Sequence, residues 1–233
     1  MVQTLTNASK LLRRVDRLLR ARYGSPRLGN KRHPISELVY IILSARTRGV
    51  EHEAFYRRLR RTFPRWEAAR DAPTRQIEHV IHDAGLSRIK ARQIKSILRT
   101  ITRDFGDLSG AGLRRLSAED LERYLASLPG VGLKTARCVM LYSFDLDVFP
   151  VDTHCMRLFQ NLGLLDGLMR FEAAQDPLQS MVPRGIRYSL HVNAVAHGRA
   201  TCTASPRCGE CVIRTLCRAP RRAAGGGSDN GWI

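Results

Sequence analysis

Residues Leu128 to Ala136 read LPGVGLKTA, with a proline and two glycines inside four positions and Lys134 two residues further on. Upstream, Ser117 stands where a helix N-cap belongs, Asp120 three residues later has capping-box spacing, and Leu116 with Leu121 has hydrophobic-staple spacing. Pro129 closes that helix, and a second begins at about Leu133 and runs through the apolar ARCVMLYSF. LPGVG is therefore read as a tight hairpin between two helices, a helix-hairpin-helix unit.

Gly130 and Gly132 lack a Cβ, so the backbone can take positive φ and come close to another molecule. The N–H groups that open the second helix, at the positive end of its dipole, can then hold a phosphate without reading base sequence. A plain corner between helices would use the same residues. Lys134 is open to two readings as well: one more phosphate contact, or a nucleophilic amine whose pKa is lowered by a helix N-terminus and neighbouring cations. A nucleophile needs a carboxylate partner, and VFPVDTH offers Asp152 at the head of a further helical stretch, where an aspartate also serves as a cap.

The chain of 233 residues carries 39 Lys and Arg against 21 Asp and Glu, a net charge of +18. That surplus is the electrostatic footprint of a nucleic-acid binder, and it favours the DNA-backbone reading of the hairpin over the plain corner. No apolar run reaches the roughly 18 residues of a membrane-spanning helix, and the first eight residues lack the apolar core of a secretory signal. The expectation is an intracellular protein without membrane association, compatible with a bacterial cytoplasm or nucleoid.

Apolar residues recur with helical spacing in the N-terminal segment (Leu11, Val15, Leu18, Leu19) and around 51–62, 75–83, 88–104 and 118–127. ISELVYIILSA, from Ile35, is dense enough for a helix buried on most sides. Nothing alternates with period two, so the expected class is all-α. The glycine-rich tail over 218–233 is expected to be disordered.

Four of the six cysteines, Cys202, Cys208, Cys211 and Cys217, stand as C-x5-C-x2-C-x5-C. Zinc sites usually present two C-x2-C knuckles, and only one such pair occurs here. A cubane iron-sulfur cluster, with wider corners, suits unequal spacings better. Cys138 and Cys155 lie in apolar helical stretches and read as small buried residues.

Taken together, LPGVGLKTA, VDTH and HGRATC with the cysteine loop resemble the endonuclease III family of DNA glycosylases, over about Ile35 to Cys217. The resemblance extends to the 18-residue interval from Lys134 to Asp152. It implies a two-domain helix-hairpin-helix glycosylase fold: a six-helix domain over 36–146, and a cluster domain of residues 147–217 with 1–35, holding a 4Fe-4S cluster on the four cysteines. DNA would lie in the cleft between them. It implies that Lys134 and Asp152 are catalytic and that Leu128, Gly130, Val131 and Gly132 form the DNA-binding hairpin. AGLSRIKA places Leu86 where the family inserts an apolar wedge beside an extruded nucleotide.

LSARTRGV departs from the family's LSAQATDV, so Arg46 stands where a glutamine fills the gap left by the flipped base, and Gly49 replaces an aspartate. The first cysteine interval is one residue shorter than the family's commonest. The implied activity is a bifunctional glycosylase and apurinic/apyrimidinic lyase, a monomer acting on oxidised pyrimidines in damaged double-stranded DNA. Two alternatives stay open: a monofunctional adenine-type or mismatch glycosylase, whose known relatives generally lack a lysine at position 134, and a DNA-binding module of the same fold with little catalysis.

Overall fold

The computed structural model describes residues 2–47 and 51–219, and among these the chain is all-helical. It divides into two compact units, Gly29–Leu146 and, from both ends of the chain, Met1–Leu28 with Asp147–Ile233.

The central unit is built around α2 (Pro34–Ser44), whose residues Pro34 through Leu43 are all buried. Such burial requires neighbours on every side. They are α3 (Glu51–Thr62), α6 (Ser87–Phe105) and α9 (Leu133–Ser143). Between them run α4 (Trp66–Asp71), α5 (Thr74–Val80), the single turn α7 (Ala111–Arg114) and α8 (Ala118–Ser127). The unit thus holds eight helices among the described residues, two more than the six expected, α4 and α7 being the shortest of them. The sequence pattern does not announce α4 or α7, because four to six residues are too few to show a helical period.

Burying an aliphatic side chain stabilises by about 1.5–3 kcal/mol, so the apolar faces of these helices hold the unit together. Glu37 sits among them at 0 % exposure. Its carboxylate accepts hydrogen bonds from Asn30 Nδ2 and the Lys31 backbone N–H, each at 2.5 Å. Loss of hydration nonetheless pushes its pKa up to about 7.

The other unit joins α1 (Val2–Tyr23) to α10 (Thr153–Asn161), α11 (Gln175–Met181) and α12 (Arg187–Ala200), followed by a 3-10 turn at Cys208–Glu210. Leu12, Val15 and Leu19 of α1 enter one core with Phe149, Phe159, Leu178, Leu190 and Ile213. This explains why the N-terminal helix belongs with the C-terminal segment. The boundary falls after Leu28, earlier than the position 35 expected from sequence. Of the tail expected to be disordered, Arg218 is described and donates its backbone N–H to Asn161 O at 2.6 Å. Residues 220–233 and Gly49 lie outside the described residues. No helix among the described residues is long and apolar enough to cross a membrane.

Candidate functional site

The hairpin forms because its residues fit one turn. Val131 N–H donates to Leu128 O at 3.0 Å, closing a four-residue turn with Pro129 at its second position and Gly130 at its third. Gly130 has φ +70°, the left-handed value that the third position of a type II turn requires. A Cβ there would lie 2.7 Å from Gln93 Nε2, which donates to Gly130 O at 3.0 Å.

Gly132 differs from the expectation of positive φ. Its φ is −94° and it acts as the extended N-cap of α9, a conformation open to any residue. A Cβ at Gly132 would meet nothing within 4 Å, so neither backbone nor packing demands glycine here. It offers no side chain to cap the first N–H groups of α9, which leaves that helix start suited to an outside anion.

Leu128 and Val131, at 2 % and 5 % exposure, anchor the hairpin in the core, so their contribution to an external surface is through the backbone. Lys134 is half-buried on the first turn of α9, and its charge is among those that oppose the raised pKa of Glu37. Upstream, Ser117 caps α8 as read from sequence, its hydroxyl accepting from Asp120 N–H at 3.1 Å. Asp120, shorter than the usual glutamate of a capping box, accepts from the Ser117 hydroxyl and from Arg123.

Two further loops of this unit meet the hairpin through α6. Leu86, the N-cap of α6, has φ +63°, and Arg46, just past α2, has φ +52°. Left-handed backbone costs a non-glycine residue about 1–2 kcal/mol, so tertiary contacts must hold both. Gly85 packs against Arg46 O, where a Cβ would approach to 3.2 Å. Lys90 is buried on the first turn of α6 and donates to Leu43 O at 3.0 Å and Thr47 Oγ1 at 2.9 Å. Desolvation lowers its pKa. Lys90 thus caps the C-terminus of α2 and pins the Arg46 turn to the Leu86 turn.

Leu86, Ile89 and Gln93 follow at i, i+3 and i+7, which places them on one face of α6. Gln93 grips the hairpin, while Leu86 and Ile89 stand 47 % and 58 % exposed, unusual for large apolar side chains. The Arg46 turn, the apolar pair and the hairpin are therefore assembled on the first half of one helix. Sequence reading passed over Ile89, Lys90 and Gln93, although helical spacing from Leu86 finds Ile89 and Gln93.

In the other unit, Asp152 caps α10: its Oδ1 accepts from Cys155 N–H at 2.8 Å. Next to it His154 packs against Gly198 of α12, where any Cβ would collide with the imidazole. That contact ties VDTH to HGRATC. The four cysteines of the following loop are half-buried free thiols. Burial, and then the neighbouring thiols Cys202, Cys208 and Cys217, push the Cys211 thiol up, and burial does the same for Cys202. The four sulfurs thus lie within electrostatic reach of one another, although among the described residues no three His, Cys, Asp or Glu groups converge on a single ion. Asn161 Nδ2 donates to Cys202 Sγ at 3.4 Å, and a His197 ring nitrogen lies 3.8 Å from Cys211 Sγ. Four thiols, one of them accepting a hydrogen bond from Asn161, are the donor chemistry that a thiolate-ligated cluster takes. Cys138 and Cys155 are buried.

A sequence profile of the HhH-GPD superfamily of base excision DNA repair proteins matches residues 39–183. Endonuclease III of Synechocystis sp. is 33% identical over 186 residues, covering 79% of this chain and 80% of that protein. ROS1A of Oryza sativa is 30% identical over 171 residues, 66% of this chain but 9% of that protein. An Arabidopsis thaliana protein named for DNA glycosylase activity is 32% identical over 162 residues, 70% of this chain and 55% of that protein. The chain thus spans about half of one of these plant relatives and a small part of the other. A non-covalent endonuclease III–DNA complex superposes with TM-score 0.77 at 25% identity, covering 90% of this chain and 95% of that one. A thermostable thymine-DNA glycosylase, at TM-score 0.76 and 21% identity over 90% of this chain and 96% of its own, shares the fold. With its profile match across the hairpin and Asp152, and a relative aligned over most of both lengths, the chain belongs to the HhH-GPD superfamily of base excision DNA repair proteins and, within it, to the endonuclease III family.

Proposed function

We propose that the protein is a bifunctional DNA glycosylase and apurinic/apyrimidinic lyase acting on oxidised pyrimidines in duplex DNA. The observation that carries this reading is Lys134 on the first turn of α9, directly behind a hairpin whose Gly132 faces open space. Backbone N–H groups at that helix start hold a phosphate, and Lys134 reaches the sugar attached to it. Leu86 and Ile89 enter the stack as the nucleotide leaves it, and Arg46 fills the gap.

The neutral amine of Lys134 attacks C1′ as the bond from C1′ to the base breaks, and the base departs with the bonding electrons. Asp152 receives a proton from the lysine and stabilises positive charge on the sugar. The C1′–O4′ bond then breaks, the ring oxygen taking the proton held by Asp152, and the protonated imine left on Lys134 acidifies the C2′ proton. Loss of that proton expels the 3′ phosphate, cutting the strand on the 3′ side. Hydrolysis of the imine restores the amine.

Cys202, Cys208, Cys211 and Cys217 would hold a 4Fe-4S cluster whose bonds order their loop. No catalytic step passes through it.

Incision of thymine-glycol and abasic duplexes, measured at enzyme excess, tests the assignment. The account expects cleavage of both. Tight binding without cleavage of either would instead show a DNA-binding module, and base release without strand cutting would show a monofunctional glycosylase.

A further inference from the structure

Helix α6 carries a second surface beside the one that bears Leu86, Ile89 and Gln93. Arg88, Arg92, Arg99 and Arg103 are all exposed and follow at spacings of four, seven and four residues. At 100° per residue they fall within a sector of roughly 60°, and at about 1.5 Å per residue they span about 22 Å of helix axis. Beside them lies an open groove of about 370 Å³ lined by Thr74, Arg92, Lys95, Ser96, Arg99 and Thr100. Its side chains are cations and hydroxyls; Lys95 is buried and donates to Ala72 O, which leaves the exposed Arg92 and Arg99 as the donors that reach a phosphate.

The nearby carboxylates are already engaged. Asp71 is held by Arg70 at 2.8 Å and Asp104 by Arg103 of the row itself at 2.7 Å, so the surplus of the row rests on Arg88, Arg92 and Arg99. Lys95 and Arg99 add further positive field at Asp71, so cations exceed anions along the groove. An ordinary solvated helix face alternates the two signs. This one begins two residues past Leu86 and runs away from the turn that carries it.

Resting on the DNA reading above, we propose that this face of α6 is a second backbone track, which binds successive phosphates of the duplex on one side of the lesion. The hairpin serves a single phosphate, whereas duplex DNA presents about one charge per 1.7 Å of axis, so the arginine row needs an extended arm of DNA. About six base pairs fill its length, at about 3.4 Å per pair.

Salt dependence of binding tests the track, because the slope of log K against log salt counts phosphates engaged, at about 0.9 for each. Abasic-analogue duplexes with arms of about four and about twelve base pairs are compared for the parent, Arg92→Ala/Arg99→Ala, and the control Arg61→Ala/Arg115→Ala. On long arms the Arg92/Arg99 variant is expected to lower the slope by about 1.8, with much less change on short arms and with the control. An unchanged slope on long arms overturns the track. So does an equal fall on short arms, or an equal fall in the control, either of which marks loss of general charge. A parent that binds neither duplex in a salt-dependent way refutes the DNA reading itself, whereas salt-dependent parent binding with an indifferent variant removes the track alone.

Discussion

Glu37→Gln isolates the least expected residue of the central unit, an ionisable group fully buried in α2. Its pKa rises from 4.5 to about 7, chiefly through desolvation, with the bonds from Lys31 and Asn30 and the charge of Lys134 pulling the other way. A carboxyl whose folded pKa is raised binds its proton more tightly in the native state. Its contribution is fully present below about pH 4.5 and is lost as pH rises through about 7. At about 1.4 kcal/mol per unit, the displacement corresponds to about 3 kcal/mol of stability lost between those limits. Glutamine mimics the protonated acid, retaining one acceptor for the two donors, so its own penalty is nearly independent of pH. Urea unfolding of parent and variant at pH 5.5, 7 and 8.5 reads the difference. The stability of the parent relative to the variant should fall by about 2 kcal/mol across that range, most of it between pH 5.5 and 7 and little above. Parallel pH profiles for the two proteins would refute the reasoning. Because Lys134 opposes the shift, Lys134→Ala should move the Glu37 midpoint to higher pH, observable by NMR of the carboxyl carbon.

The two hairpin glycines should separate fold from function. Gly130→Ala places a Cβ in left-handed backbone against Gln93, so it should lower stability by about 1–2 kcal/mol in urea unfolding. Gly132→Ala has open space and ordinary φ, so stability should change by less than about 0.5 kcal/mol, while abasic-duplex affinity in a filter assay falls about tenfold or more. Lys90→Met keeps the buried stem but leaves Leu43 O and Thr47 Oγ1 without the ammonium, a loss of about 1–3 kcal/mol in the same unfolding assay. Anaerobically purified protein should absorb near about 400 nm, and Cys211→Ala should abolish that band; a colourless parent with bound zinc would exclude the cluster.

The hairpin was legible because its determinants are local: Pro129, Gly130 and the Ser117 cap each act within a few residues. Which glycine needs positive φ was not legible, since an extended N-cap at Gly132 also follows from the start of α9. Arg46 and Leu86 could be located by motif, but their left-handed backbone was not legible, since the two turns meet through Gly85 against Arg46 O and Lys90 against Leu43 and Thr47, contacts between segments distant in the chain. Helix α12 escaped periodicity for a different reason. It buries His191, Asn193 and His197 alongside Leu190, Val192 and Val195, so polar and apolar residues do not sort into opposite faces. The cysteine spacing suggests a shared site, while the neighbours of two of its sulfurs, Asn161 and His197, come from helices far apart in the chain and carry no signal in the spacing.

The central claim is that Lys134 is a nucleophile toward the sugar, and borohydride trapping on abasic-site duplex DNA tests it most directly. Borohydride reduces an imine to a stable amine, so the parent should migrate as a covalent protein–DNA adduct, and Lys134→Ala should form none while still binding the duplex. An adduct that persists undiminished in Lys134→Ala, or a parent that binds and forms none, would contradict the account.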